Sequence, residues 1–114
     1  WWPARPMGIG ARHYGTLLLI CAAGPCSQQT IGERIACDRT TMVGIIDDLE
    51  RLKLAQRRAD PRDRRAYAVY PTEAGRKVLA RAQRAALNAE EEFLKPLSGA
   101  ERKQLHALLA RLLS

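Results

Sequence analysis

Arg39, Thr40, Thr41, Val43 and Gly44 fall within one short stretch, and Arg57, Arg58, Arg62, Arg64 and Arg65 follow soon after it. Guanidinium and hydroxyl groups at such spacing suit hydrogen bonding to base edges and phosphates. Arginine can pair with guanine through two hydrogen bonds, and threonine can donate, accept or offer a methyl group. A loop tip rich in arginine suits phosphate contact and entry into a narrow minor groove. Each feature has a plainer alternative. The first also fits an ordinary amphipathic helix with a solvated polar face, and the second a solvated run of charge.

The elements that must position these residues can be read from periodicity. Met42, Ile45, Ile46, Leu49 and Leu52 recur at spacings of three and four, which predicts a helix over residues 38–52 with one apolar face. Asp38 is placed to cap it by accepting backbone N–H groups of the first turn. Arg39, Thr40, Val43, Gly44, Asp47 and Asp48 take the opposite face, with Thr41 at the border. Cations and hydroxyls therefore gather at the N-terminal end, the end that usually meets bases when a helix enters the major groove. Residues 56–59 and 66–70 read as two short strands, and Asp60-Pro61 opens the turn between them. Asp60 and Asp63 offset part of the hairpin's positive charge. Asp63 is expected to brace the tip by pairing with an arginine.

Upstream, residues 12–23 form a predicted helix that Gly24-Pro25 ends. Ser27 caps a short helix over 28–36 with Ile31 and Ile35 inward, and Cys37-Asp38 makes the turn into the next helix. Ser27 and Gln28 stand where the first helix of such a pair meets a DNA backbone, because free N–H groups there can bind phosphate. Thr72 caps a long helix ending near Lys95 and Pro96, with Val78, Leu79, Ala82, Ala86, Ala89 and Phe93 as its inward stripe. Ser98 and Glu101 match a capping box. The last helix carries Leu105, Leu108, Leu109, Leu112 and Leu113, a ridge read as a dimer surface. Residues 1–11, with Pro3, Pro6, Gly8 and Gly10, should be irregular. Trp1 and Trp2 cover a core edge or a partner subunit, or belong to a disordered tail.

At 114 residues the chain is expected to be one domain with a modest core. A net charge of +7 favours an acidic polymer as partner, although it also fits a membrane surface or simple solubility. No apolar run approaches the roughly 20 residues of a membrane span. No signal peptide is evident, and the missing initiator Met allows the chain to be a piece of a longer product. Cys21, Cys26 and Cys37 are an odd number in a chain expected to be cytoplasmic, so structural disulfides are not expected. Their spacing fits no zinc pattern, even with His13 and His106. Buried, inert thiols are expected. No nucleophile, general base and acid converge in sequence, and no glycine-rich phosphate loop is present, so neither an enzyme, a cofactor nor a metal is expected.

Asp38-Arg39-Thr40-Thr41, Ile46-Asp47-Asp48-Leu49-Glu50-Arg51-Leu52, Arg57-Arg58-Ala59-Asp60-Pro61-Arg62-Asp63-Arg64-Arg65 and Thr72-Glu73-Ala74-Gly75 together resemble the MarR family of bacterial transcription regulators. The likeness runs from about Tyr14 to the C-terminus, and the Asp-Pro-x-Asp-x-Arg wing followed by Thr-x-x-Gly is its most specific part. It implies a mainly α fold with a small β-hairpin, a winged helix-turn-helix with C-terminal dimerisation helices. Residues 14–71 would form the DNA-binding lobe, and 1–13 and 72–114 the dimerisation and packing segments. It also implies a homodimer on a palindromic double-stranded operator, with Arg39 to Gly44 near bases, Arg65 at the wing tip and Asp63 shaping the wing. Such a regulator is expected to repress by covering a promoter and to leave DNA when it binds an effector. His13 and Tyr14, near the expected cleft between the two parts, are candidates for a small aromatic or anionic effector. Lys53 stands where the family usually has glycine, Pro71 replaces an apolar residue, and Gly44 takes a position where a polar residue is common. The family's long N-terminal helix is shortened or missing. A winged helix serving as a protein-interaction module, and a thiol-based redox switch on the same fold, are the alternatives.

Overall fold

The computed structural model describes residues 8–114, with the side chains of Arg64 and Arg65 outside the description. Five helices and a small sheet follow in the order α1 (Ala11–Ala22), β1 (Cys26–Ser27), α2 (Gln28–Arg34), α3 (Arg39–Arg51), β2 (Ala55–Asp60), β3 (Asp63–Pro71), α4 (Glu73–Leu94) and α5 (Gly99–Leu113). The readings of Trp1 and Trp2 lie outside the described residues.

Helix starts follow the expected caps. Ser27 accepts from the Thr30 amide, Asp38 from that of Thr41, and Thr72 from that of Gly75. Ser98 and Glu101 complete a reciprocal capping box at α5. Two helix ends differ from expectation. Helix α2 stops at Arg34, two residues early, because Ala36 turns left-handed at φ 55° and the Cys37 amide reaches back to the Gly32 carbonyl. Helix α3 ends in the same way. Lys53 has φ 61°, its amide donates to Glu50 O at 2.9 Å, and the Leu54 amide donates to Leu49 O at 2.8 Å. That pair of bonds is a Schellman stop, which ordinarily employs glycine at the left-handed position.

The expected hairpin is one part of a three-stranded antiparallel sheet ordered β1-β3-β2. Cys26 pairs with Val69 and Ser27 with Ala68, so the link before α2 adds a strand that sequence patterning missed. Across the hairpin, Ala55 faces Pro71 and Arg57 faces Val69, with an irregularity between Ala59 and Asp60 where the strands meet the tip. Leu17 and Ile20 of α1, Ile31 of α2, Met42, Ile46 and Leu49 of α3, and Val69 of β3 are almost wholly removed from solvent. Leu54, Leu79 and Ala82 close this core beneath the sheet and α4.

Helix α4 has 22 residues, about 33 Å of helix, and outruns that core. Its expected inward stripe holds at Leu79 and Ala82 but fails at Phe93, which is 81% exposed, while Leu94 is buried instead. The core ends before Phe93, and Arg102 near the start of α5 binds Glu91 in the last turn of α4. No residue of α5 is buried, and Leu112 and Leu113 are 80% and 86% exposed. The radius of gyration is 16.5 Å, against about 13 Å for a compact chain of this size.

Lys53→Gly should raise stability by about 1 kcal/mol, because a left-handed backbone strains any residue with a Cβ. A thermal melt should show a midpoint several degrees higher. Gly75→Ala should do the reverse and more strongly, since an added Cβ would lie 2.0 Å from the Leu54 carbonyl oxygen.

Candidate nucleic-acid interface

Helix α3 presents the expected polar face. Arg39, Thr40, Val43 and Gly44 are exposed and Thr41 is half-buried. The Thr41 hydroxyl is already engaged by the Asp38 carboxylate, whose other oxygen accepts from the Thr41 amide at 3.1 Å. These bonds hold the Asp38 carboxyl below its usual range, the side-chain bond to Thr41 being the larger cause. At the start of α2 the Ser27 hydroxyl accepts from the Thr30 amide and donates to the Thr30 hydroxyl at 2.9 Å. Gln28 is held by its side-chain oxygen, which accepts from Arg57 at 3.2 Å.

A concavity of about 850 Å³ joins these parts. Ser27 of β1, Gln28 and Glu33 of α2, Arg39 and Met42 of α3, and Arg57, Asp60, Asp63 and Tyr67 of the hairpin line it. Arg39 thus opens onto the same hollow as the flank of the wing, from Arg57 and Val69 to the Asp60–Asp63 pair at its tip. Arg62 is exposed at the tip, where its amide donates to the Asp60 carboxylate at 2.9 Å. Asp63 begins β3 opposite Asp60. Arg64 and Arg65 lie in β3, and what was expected of their side chains falls outside the described residues.

The hairpin's five arginines do not act alike. Arg57 turns inward and binds Asp47, Glu50, Gln28 and the Val43 carbonyl of neighbouring elements. Arg58 lies over the Tyr70 ring at 5.2 Å, a cation–π contact across the strand pair. Two of the five positive charges expected on or beside the hairpin therefore have partners within the fold. Partners ten and twenty-nine residues away, as for Asp47 and Gln28, leave no local periodicity to reveal such a clamp.

His13 also has a partner that sequence did not show. Its Nε2 donates to Asp48 Oδ2 at 2.9 Å, and Arg51 binds the other oxygen of the same carboxylate at 2.9 Å. The His13 and Arg51 hydrogen bonds, in that order, hold the Asp48 carboxyl below its usual range. Tyr14 is half-buried and packs on the core. Cys21, Cys26 and Cys37 are free thiols, half-buried rather than fully buried as expected. Burial pushes the Cys21 thiol up, with Arg76 opposing. Among the described residues no cluster of His, Cys, Asp or Glu could hold a metal ion, and no helix is long and apolar enough to cross a membrane.

A winged helix with this polar face is the architecture of a class of transcription regulators. A MarR family model matches residues 7–66, over half of the chain, and the chain belongs to that family. It is 34% identical over 105 residues to a putative transcriptional regulatory protein for the hcr operon of Thauera aromatica, covering 92% of this chain and 63% of that protein. It therefore spans less than two thirds of that relative's length. A probable transcriptional regulator from Pseudomonas aeruginosa has a solved structure that is 36% identical with a TM-score of 0.78, over 92% of this chain and 79% of the other. The PcaV regulator of Streptomyces coelicolor, solved with its natural ligand, is 28% identical with a TM-score of 0.75, over 92% and 74%. The fold alone is shared with Escherichia coli MarR, at 21% identity and a TM-score of 0.88 over 98% and 83%.

An added Cβ at Gly44 meets nothing within 4 Å, so Gly44→Ala should stabilise α3 by about 0.5–1 kcal/mol. If the backbone there approaches a groove closely, the same methyl should weaken duplex binding while the melting midpoint rises. Separately, Asp38, Asp48 and Glu101 have depressed folded pKa values, so the stability they contribute is present above about pH 4. It is lost as pH falls through the folded values, when these carboxylates take up protons. Asp38→Asn, which keeps an acceptor for the cap but cannot titrate, should flatten the acid limb of a pH–stability curve followed by circular dichroism.

Proposed function

We propose that the chain is a dimeric, sequence-specific DNA-binding repressor whose hold on its operator is released by a small aromatic or anionic effector. The observation that carries this reading is the shared concavity. It brings together the N-terminal turn of α3, with Arg39, and the flank of an arginine-bearing wing. Arg39, Thr40, Val43 and Gly44 then face bases, with Thr41 at the edge of that set. Ser27 and Gln28 sit at a phosphate, and Arg62, Arg64 and Arg65 follow the backbone or the minor groove. Phosphate contacts supply affinity and its salt dependence, and the few groove contacts supply sequence choice.

The unburied leucines of α5, with Phe93 at the end of α4, support a second copy as partner, because ridges of that size rarely face water. Two α3 helices would then lie about one DNA turn apart, roughly 34 Å, on a palindromic site. An effector must favour a dimer geometry that fits the operator less well. The His13–Asp48 bond supports a route for this. A ligand at His13 and Tyr14 would act on α3 through the carboxylate it shares with Arg51. PcaV, solved with a ligand, makes effector control a reasonable reading for a relative.

Selection of duplexes from a random pool tests the proposal. Sites of twofold symmetry should emerge. Arg39→Ala and Arg65→Ala should lower affinity, and the slope of log affinity against log salt should become shallower by about one for each phosphate left without its cation. Leu112→Glu with Leu113→Glu should give a monomer in sedimentation and leave only half-site binding. No enrichment from the pool at low ionic strength would overturn the proposal.

A further inference from the structure

Arg57 is one of the hairpin's five arginines, and its surroundings set it apart from the exposed Arg62 at the tip. Its guanidinium meets Asp47 at 2.8 Å, Glu50, Gln28 at 3.2 Å and the Val43 carbonyl at 3.5 Å. Its own amide donates to the second Glu50 oxygen at 3.1 Å. One side chain from β2 therefore ties the ribbon to α2 and to the middle of α3. Only 23% of it reaches solvent, whereas Asp47 is 59% exposed.

The position of Asp47 gives this knot a consequence. Arg39, Val43 and Asp47 are spaced by four and form one row along the polar face of α3. A helix that enters a groove through Arg39 brings Asp47 toward the phosphate wall. An uncompensated carboxylate there repels DNA, and Glu50 one turn later adds to it.

We infer that Arg57 is a positioning residue for DNA binding: it offsets one of the two negative charges of Asp47 and Glu50 on the groove-facing side of α3 and fixes the wing against that helix, without itself touching a phosphate. This rests on the DNA-binding reading above. The arginine fork suits the task, because its several N–H groups can serve two carboxylates, an amide and a carbonyl at once, as a lysine cannot. The acids remain on the helix because they anchor the ribbon. The arginine makes that anchor compatible with a polyanion.

The test uses the best duplex selected by the wild type, read by fluorescence anisotropy across a salt series. Arg57→Gln should weaken binding by roughly tenfold or more, since it doubles the net negative charge of the cluster and loosens the wing from α3. Arg57→Lys should fall between. The variant Arg57→Gln, Asp47→Asn, Glu50→Gln, whose cluster is neutral, should bind no more than about threefold more weakly than wild type, with the wild-type salt slope. A merely structural role would not give that return of affinity, and a phosphate contact would not give that slope. Should Arg57→Gln alone fail to fold, the triple variant still decides the matter. If it binds roughly tenfold or more weakly than wild type, or its slope falls by about one, the inference is overturned while the wild type still binds. A wild type that ignores every duplex overturns the DNA-binding reading first, and this inference with it.

Discussion

The close approach of α4 to the exit of α3 is the constraint on which the rest of the molecule depends. Gly75 lies so near the Leu54 carbonyl that no side chain fits between them. Thr72 secures the junction twice: its amide donates to Leu54 O at 3.1 Å and its hydroxyl to Lys53 O at 2.7 Å. Helix α3 therefore ends, β2 begins and α4 departs at one point. The three directions are set together, and with them the angle between the probing helix, the wing and the long arm. Lys53 must accept a left-handed backbone to make that corner, a local strain held by the surrounding bonds.

The fold also sets where charge faces. The surplus of +7 suggests a uniformly cationic surface, but the structure divides the cations by task. Arg57 and Arg58 are engaged by the ribbon and its neighbours, Arg51 by Asp48, and Arg102 by Glu91 at 3.0 and 3.1 Å. Arg39 and Arg62 are exposed, as are Arg51 and Arg58 despite their partners. Exposed ion pairs contribute little stability by themselves. Their effect here is geometric, because each pair selects which direction a charge faces. A net charge therefore says less about a binding surface than the charges that remain once the fold has taken its share.

The family likeness and the winged-helix architecture were legible in the residues, for reasons of local chemistry. A cap followed by an apolar row at helical spacing is written in a few neighbouring residues, so the starts of α2, α3, α4 and α5 could be read from Ser27, Asp38, Thr72 and Ser98. Strand β1 could not be, because two residues after Gly24-Pro25 carry no period and become a strand only when Val69 and Ala68 arrive beside them. The early end of α2 depended on a left-handed alanine, where sequence rules look for glycine. Phe93 misled because its spacing is helical while the core it should join has already ended. Within the candidate site, the exposed face of α3 was legible. The partners of His13 and Arg57, thirty-five and up to twenty-nine residues away, required the fold.

The most direct measurement is a titration of the isotope-labelled protein with its selected duplex, followed through backbone amide resonances. The largest shifts should fall at residues 39–44 and 60–66, together with the first turn of α2, and should saturate at one duplex per two chains. Shifts confined to α4 and α5, or an unchanged spectrum at low ionic strength, would contradict a DNA-reading role for α3 and the wing.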